Sequence, residues 1–149
     1  MEILDATSHV AIVKMGSYHE RGGPAIDGGE VLDQIENSLA ASRLCGIVAE
    51  GLVPYGVVNP STDAVLRGVA HRGIPVVMVA RGSLGGPVVP RDSFIAGGYL
   101  TAMKARLLVM ATLLRYGSLP RSAKLSAPIA EEWCLSRALA GYQVIFDSH

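Results

Sequence analysis

Apolar residues fall along this chain in two alternating patterns. His9-Val-Ala-Ile-Val-Lys-Met15, Gly46-Ile-Val-Ala49 and Pro75-Val-Val-Met-Val-Ala80 are short continuous runs, the mark of strands buried on both faces. Between them the apolar spacing becomes helical. From Glu30 to Arg43 it falls at Val31, Leu32, Ile35, Leu39 and Ala40. Asn59-Pro60 then carries a start signal: an asparagine cap, a proline at the first helical position and Asp63 in the first turn. This helix runs to His71 and stops at Gly73. Phe94-Ile-Ala-Gly reads as a further short strand and glycine hinge. The helix that follows turns Ala105, Leu108, Val109, Thr112 and Leu113 inward, and Lys104 and Arg106 stand in its first turn. The last helix spans Pro128 to Ala140, with Ser126 as cap and Glu131 and Glu132 in its first turn. Gly141 ends it, and Tyr142-Gln-Val-Ile-Phe146 closes as an edge strand or a docked tail.

Alternating strands and helices of this kind build an α/β three-layer sandwich: a small, mostly parallel sheet of about four strands between helices, with an extra C-terminal helix. Three Gly- and Pro-rich connections, at 16–29, 51–58 and 81–93, then fall at the carboxyl ends of the strands, where ligands of such sheets bind. The first holds five glycines and exceeds the usual length of such a connection. No repeat or low-complexity segment interrupts the pattern.

Composition narrows the choices. A chain of 149 residues, half of them hydrophobic and 17% charged, has the material for one buried core and no bias to disorder. Thirteen basic and thirteen acidic side chains cancel, so no footprint for nucleic acid or an anionic membrane is present. No apolar run approaches the roughly 20 residues of a bilayer span, and a cytoplasmic protein is expected. Cys45 and Cys134 read as buried free thiols. A mean hydropathy of +0.35 in so small a chain predicts an apolar face that meets another subunit.

Candidate chemistry is thin. His19-Glu20 is the most polar pair on any loop and has the composition of a general base, yet one His and one Glu make no metal site. His71, in a last helical turn, favours the helix dipole, and neither His9 nor His149 carries a role. Lys104 and Arg106 oppose the dipole of their helix, which predicts a carboxylate or partner contact. Gly82-Ser83-Leu-Gly lacks the Gly-x-Ser-x-Gly elbow, and no phosphate-binding glycine motif occurs. No cofactor or metal is indicated.

One stretch goes further. Phe94-Ile-Ala-Gly-Gly-Tyr-Leu-Thr-Ala-Met-Lys-Ala-Arg-Leu-Leu108 resembles a segment of the bacterial-type L-asparaginase/glutaminase family, where a Phe-Ile-Ala-Gly-like strand leads through Leu-x-x-x-Lys-Ala-Arg into a helix. In that family the segment lies in the C-terminal domain. Gly46-Ile-Val-Ala-Glu-Gly51, Val76-Val-Met-Val-Ala-Arg81 with Gly82-Ser83, and the closing Ile145-Phe-Asp147 are similar to other family stretches. The resemblance covers residues 9–116 and implies a single C-terminal-type domain over 1–149, with 117–149 as an extension.

Two loops depart from the family pattern. Where the family has Gly-x-Gly-Asn, Val53 to Gly56 holds no asparagine, and the nearby Asn59 reads as a helix cap. The family's longer insertion after its Ser-Arg strand is reduced here, leaving Asp92 as the only acid in its place. The family's Thr-Gly-Gly-Thr-like nucleophile motif, which in the family works with a second Thr-Asp pair and a lysine, does not occur in the sequence.

The resemblance therefore implies one subunit of a split amidohydrolase acting on a small-molecule amide. A separately encoded chain, resembling the family's N-terminal domain, would bring the nucleophile. No catalytic residue is assigned within this chain. His19, Glu20, Glu50, Tyr55, Asn59, Arg81, Ser83 and Asp92 are the candidates to line the pocket. The assembly would be a hetero-oligomer or a homo-oligomer. The alternatives are a non-catalytic homo-oligomeric ligand-binding or regulatory module on the same scaffold, and an independent enzyme built on His19-Glu20.

Overall fold

The computed structural model describes residues 9–14, 33, 35–38, 40, 44–52, 55–82, 87–121 and 129–149. Four strands form one parallel sheet in the order β1 (Val10–Lys14), β2 (Gly46–Gly51), β3 (Val76–Ala80) and β4 (Ile95–Ala96). Their side chains alternate between two cores. Val13, Ile47, Ala49, Val76 and Met78 meet helix α1 (Pro60–His71) through Leu66, Val69 and Ala70, together with Ile35, itself helical. Val10, Val48, Val77, Val79 and Ile95 meet helices α2 (Ala102–Tyr116) and α3 (Ile129–Asp147) on the other face. Helices on both faces of a parallel sheet explain why its strands are apolar throughout.

The local signals at α1 hold. Asn59 caps it, its Oδ1 accepting from the Thr62 N–H at 2.7 Å, with Pro60 in the first turn. Past Arg72, Gly73 turns the chain at φ +86°, a value that suits glycine. On α2, Ala105, Val109, Thr112 and Leu113 are buried as the spacing predicts, while Leu108 is half-buried. Thr101 caps this helix.

The chain's end differs from expectation. Gly141 does not stop the helix, and residues 142–146 form no strand: α3 continues to Asp147. A mid-helix glycine costs only about 1 kcal/mol relative to alanine. Against that, Leu135, Tyr142 and Phe146 are 3–4% exposed in the second core, which outweighs a loss of that size. Cys134 is also a correction: it is a free thiol, but an exposed one, because α3 turns Leu135 inward and its neighbour outward. Cys45 is half-buried.

Candidate functional site at the carboxyl end of the sheet

Charge enters the sheet where β1, β2 and β3 end. Glu50, the penultimate residue of β2, lies in register with Lys14 of β1 and Val79 of β3, so the three share one face. Arg81 follows β3, and its backbone N–H donates to the Gly51 carbonyl at 3.0 Å, carrying the ladder one step further. Its Nε donates to Glu50 Oε1 at 3.1 Å. The Glu50 side chain is 15% exposed and that of Arg81 is 39% exposed, so the pair stands at the boundary between core and solvent. Lys14, exposed at the last position of β1, is a strand-end charge absent from the candidates named from the sequence. Its signal was a charged residue closing an apolar run.

The connection after β2 is a tight ribbon. Leu52 and Val57 exchange N–H···O bonds at 2.9 and 3.1 Å, and Tyr55 stands at the tip, exposed. The ribbon needs its glycines. A Cβ on Gly51 would lie 2.4 Å from the Gly56 backbone, and Gly56 sits at φ +65°. Asn59 lies beyond this ribbon, its Oδ1 accepting both from Thr62 and from the Ser61 hydroxyl at 2.8 Å. Its side chain is therefore engaged as a cap.

Asp92 lies elsewhere. It belongs to the turn that enters the amino end of β4, with an exposed side chain and a backbone carbonyl that accepts from Arg67 at 3.2 Å. Arg67 also pairs with Asp63 at 2.6 Å and stacks on the Phe94 ring. The structure thus brings Glu50 and Arg81 into contact, places Tyr55 and Asn59 on the segment that follows β2, and leaves Asp92 apart. His19, Glu20 and Ser83 lie outside the described residues.

Of the carboxylate or partner contact expected for Lys104 and Arg106 on α2, no ion pair is found among the described residues. The Arg106 Nε is buried with no hydrogen-bond partner among the described residues. That group of residues also contains no cluster of His, Cys, Asp and Glu able to hold a metal. No helix among them is long and apolar enough to cross a membrane. Among the described residues the site offers the Glu50 carboxylate and the cations of Arg81 and Lys14 at the end of the sheet, a set fitted to orient a small polar ligand.

No family model matches the sequence, and no curated protein matches it. Solved structures do. The crystal structure of a probable cytoplasmic L-asparaginase from Campylobacter jejuni is similar to this chain at a TM-score of 0.60 and 22% identity. The alignment covers 93% of this chain and 36% of the asparaginase, so the chain spans little more than a third of that enzyme's length. The α/β fold is asparaginase-like.

Proposed function

We propose that this chain is one subunit of a split asparaginase-like amidohydrolase. Residues 9–116 correspond to the C-terminal domain of such an enzyme, and 117–149 are an extension of it. The observation that carries the reading is the fold's likeness to an asparaginase along nearly all of this chain but only 36% of that enzyme. In this reading the rest of the enzyme, including the nucleophile, is supplied by the second chain. The absence of a Thr-Gly-Gly motif from these 149 residues supports the same view. In this reading a threonine of a separately encoded chain attacks the substrate's amide carbonyl, the amine leaves, and water hydrolyses the acyl-enzyme. Glu50 and Arg81, with Tyr55 on the neighbouring ribbon, complete the pocket and orient the polar ends of the substrate. A small amide or related acyl compound is the substrate class, and the cytoplasm the expected location.

The test is ammonia release from simple amides by the 149-residue chain alone, and by the chain co-expressed with an asparaginase-type N-terminal domain carrying the Thr-Gly-Gly motif. Turnover is expected only from the pair. Appreciable hydrolysis by the chain alone overturns the reading.

A second reading, a non-catalytic homo-oligomeric module, is favoured by one feature. Tyr99, Met103, Leu107 and Leu114 are each about half or more exposed along α2 and its approach, an apolar stripe suited to another subunit. Sedimentation of the isolated chain separates the two: a stable homo-oligomer that gains no activity with the second chain supports the module.

A further inference from the structure

β4 ends the sheet, and an unpaired strand edge is a template for another chain. The backbone groups of alternate strand residues point to opposite sides. Gly97 directs its N–H at β3, donating to the Met78 carbonyl at 2.8 Å. Phe94, Ala96 and Gly98 therefore face away from the sheet. All three are engaged. The Phe94 N–H donates to the Arg91 carbonyl at 3.0 Å, and the Gly98 carbonyl accepts from the Val88 N–H at 3.2 Å. These two contacts come from the β3–β4 connection itself.

The middle residue is held from a distance. The Ala96 N–H donates to Gln143 Oε1 at 2.8 Å, and the Ala96 carbonyl accepts from Gln143 Nε2 at 3.1 Å. A primary amide carries the same donor and acceptor as a peptide unit, so Gln143 takes the place of one residue of a fifth strand. Its second Nε2 hydrogen goes to Asp147 Oδ1 at 2.8 Å, one helical turn on. That bond fixes which end of the amide is the donor. Tyr142 and Phe146, buried on either side of Gln143, hold the helix at the distance the amide needs.

We propose that Gln143 is a clasp that closes the outer edge of β4 and denies it to the same edge of a second copy of this chain. The copy is the natural competitor. Two such edges meeting about a two-fold axis satisfy each other's outward groups, which is how isologous sheet contacts form. The inference rests on α3 and β4 alone and is independent of the catalytic reading.

Gln143→Leu removes both bonds at nearly constant size. In that variant the Ala96 amide should exchange with solvent about tenfold faster or more, while amides of Ile47 and Val77 in the central strands keep their protection. Light scattering should show concentration-dependent dimers beyond the wild-type state. Adding Ala96→Pro, which removes the outward N–H, should return the variant to the wild-type state. Unchanged Ala96 exchange, absence of new self-association, or dimers that survive Ala96→Pro each overturn the proposal. If the leucine variant does not fold, Gln143→Asn, one methylene too short to reach, is read in the same way.

Discussion

The two faces of the sheet are finished differently. On the first, α1 buries Leu66, Val69 and Ala70 and turns Ser61, Ala64 and Gly68 to solvent. On the second, α2 buries Ala105, Val109 and Leu113 yet also exposes Met103, Leu107 and Leu114. No acidic residue occurs between Asp92 and Glu131, so the charges flanking that stripe are basic, Lys104 and Arg115 among them. α1 carries one apolar stripe and is complete against its own sheet. α2 carries two, one spent on the sheet and one facing outward. The difference teaches that apolar spacing can mark the stripe a helix turns to its own sheet and still leave a second apolar stripe facing outward.

The sharpest way to break the comparison is to remove an inward leucine and an outward one. Leu66 is fully buried. Leu66→Ala should destabilise the protein by about 2–5 kcal/mol through lost burial and the cavity left behind, read as a lowered midpoint in urea unfolding. A loss comparable to that of an exposed site would mean that the first face is not the closed core described.

Tyr142 tests whether the second face is equally tight. It is 3% exposed, and its hydroxyl donates to the Gly117 carbonyl just past α2. Tyr142→Phe leaves that carbonyl short of a donor and should cost about 1–3 kcal/mol. Burial also pushes the Tyr142 pKa from 10.0 up to about 12. Below pH 10 the group is protonated in both the folded and unfolded chain and adds no pH dependence. Between 10 and 12 the unfolded chain loses its proton first, so stability falls as pH rises. The phenylalanine variant should lack that part of the slope. Parallel curves for variant and wild type across this window would show that Tyr142 ionises as freely in the fold as outside it.

How much of this was legible follows from where each signal sits. Asn59-Pro60 and Gly73 encode the limits of α1 in backbone chemistry that needs no tertiary partner. The four strands could be read because each is apolar on both faces. Gly141 misled, because its cost is local while the compensation, Tyr142 and Phe146 in the second core, is not. Gln143 could not be singled out, since its partner Ala96 lies 47 residues away and nothing in either residue's neighbours announces the contact. At the site, Glu50 and Arg81 were legible as strand-end charges, but their pairing depends on the register of β2 and β3. Gly141 itself offers a correction in the other direction. A Cβ there meets nothing within 4 Å, so Gly141→Ala should stabilise the protein by about 0.5–1 kcal/mol, seen as a raised Tm. A loss would show that glycine serves some contact of the second face.

The smallest effect on folding belongs to the outward stripe. Leu107 is 65% exposed, and its replacement by serine should change the stability of the isolated chain by no more than about 0.5 kcal/mol. The same substitution places a hydroxyl in the centre of the apolar stripe between Met103 and Leu114. If that stripe is covered in the assembled protein, Leu107→Ser weakens assembly while leaving the urea midpoint in place. Lys104 and Arg115 flank it, and a partner drawn by them binds less well as salt is raised. Sedimentation at low and high salt, with wild type and Leu107→Ser side by side, separates the apolar from the electrostatic contribution. Assembly insensitive to both the substitution and salt would mean that the second stripe of α2 is ordinary solvent-facing surface, and the contrast between the two faces would reduce to composition.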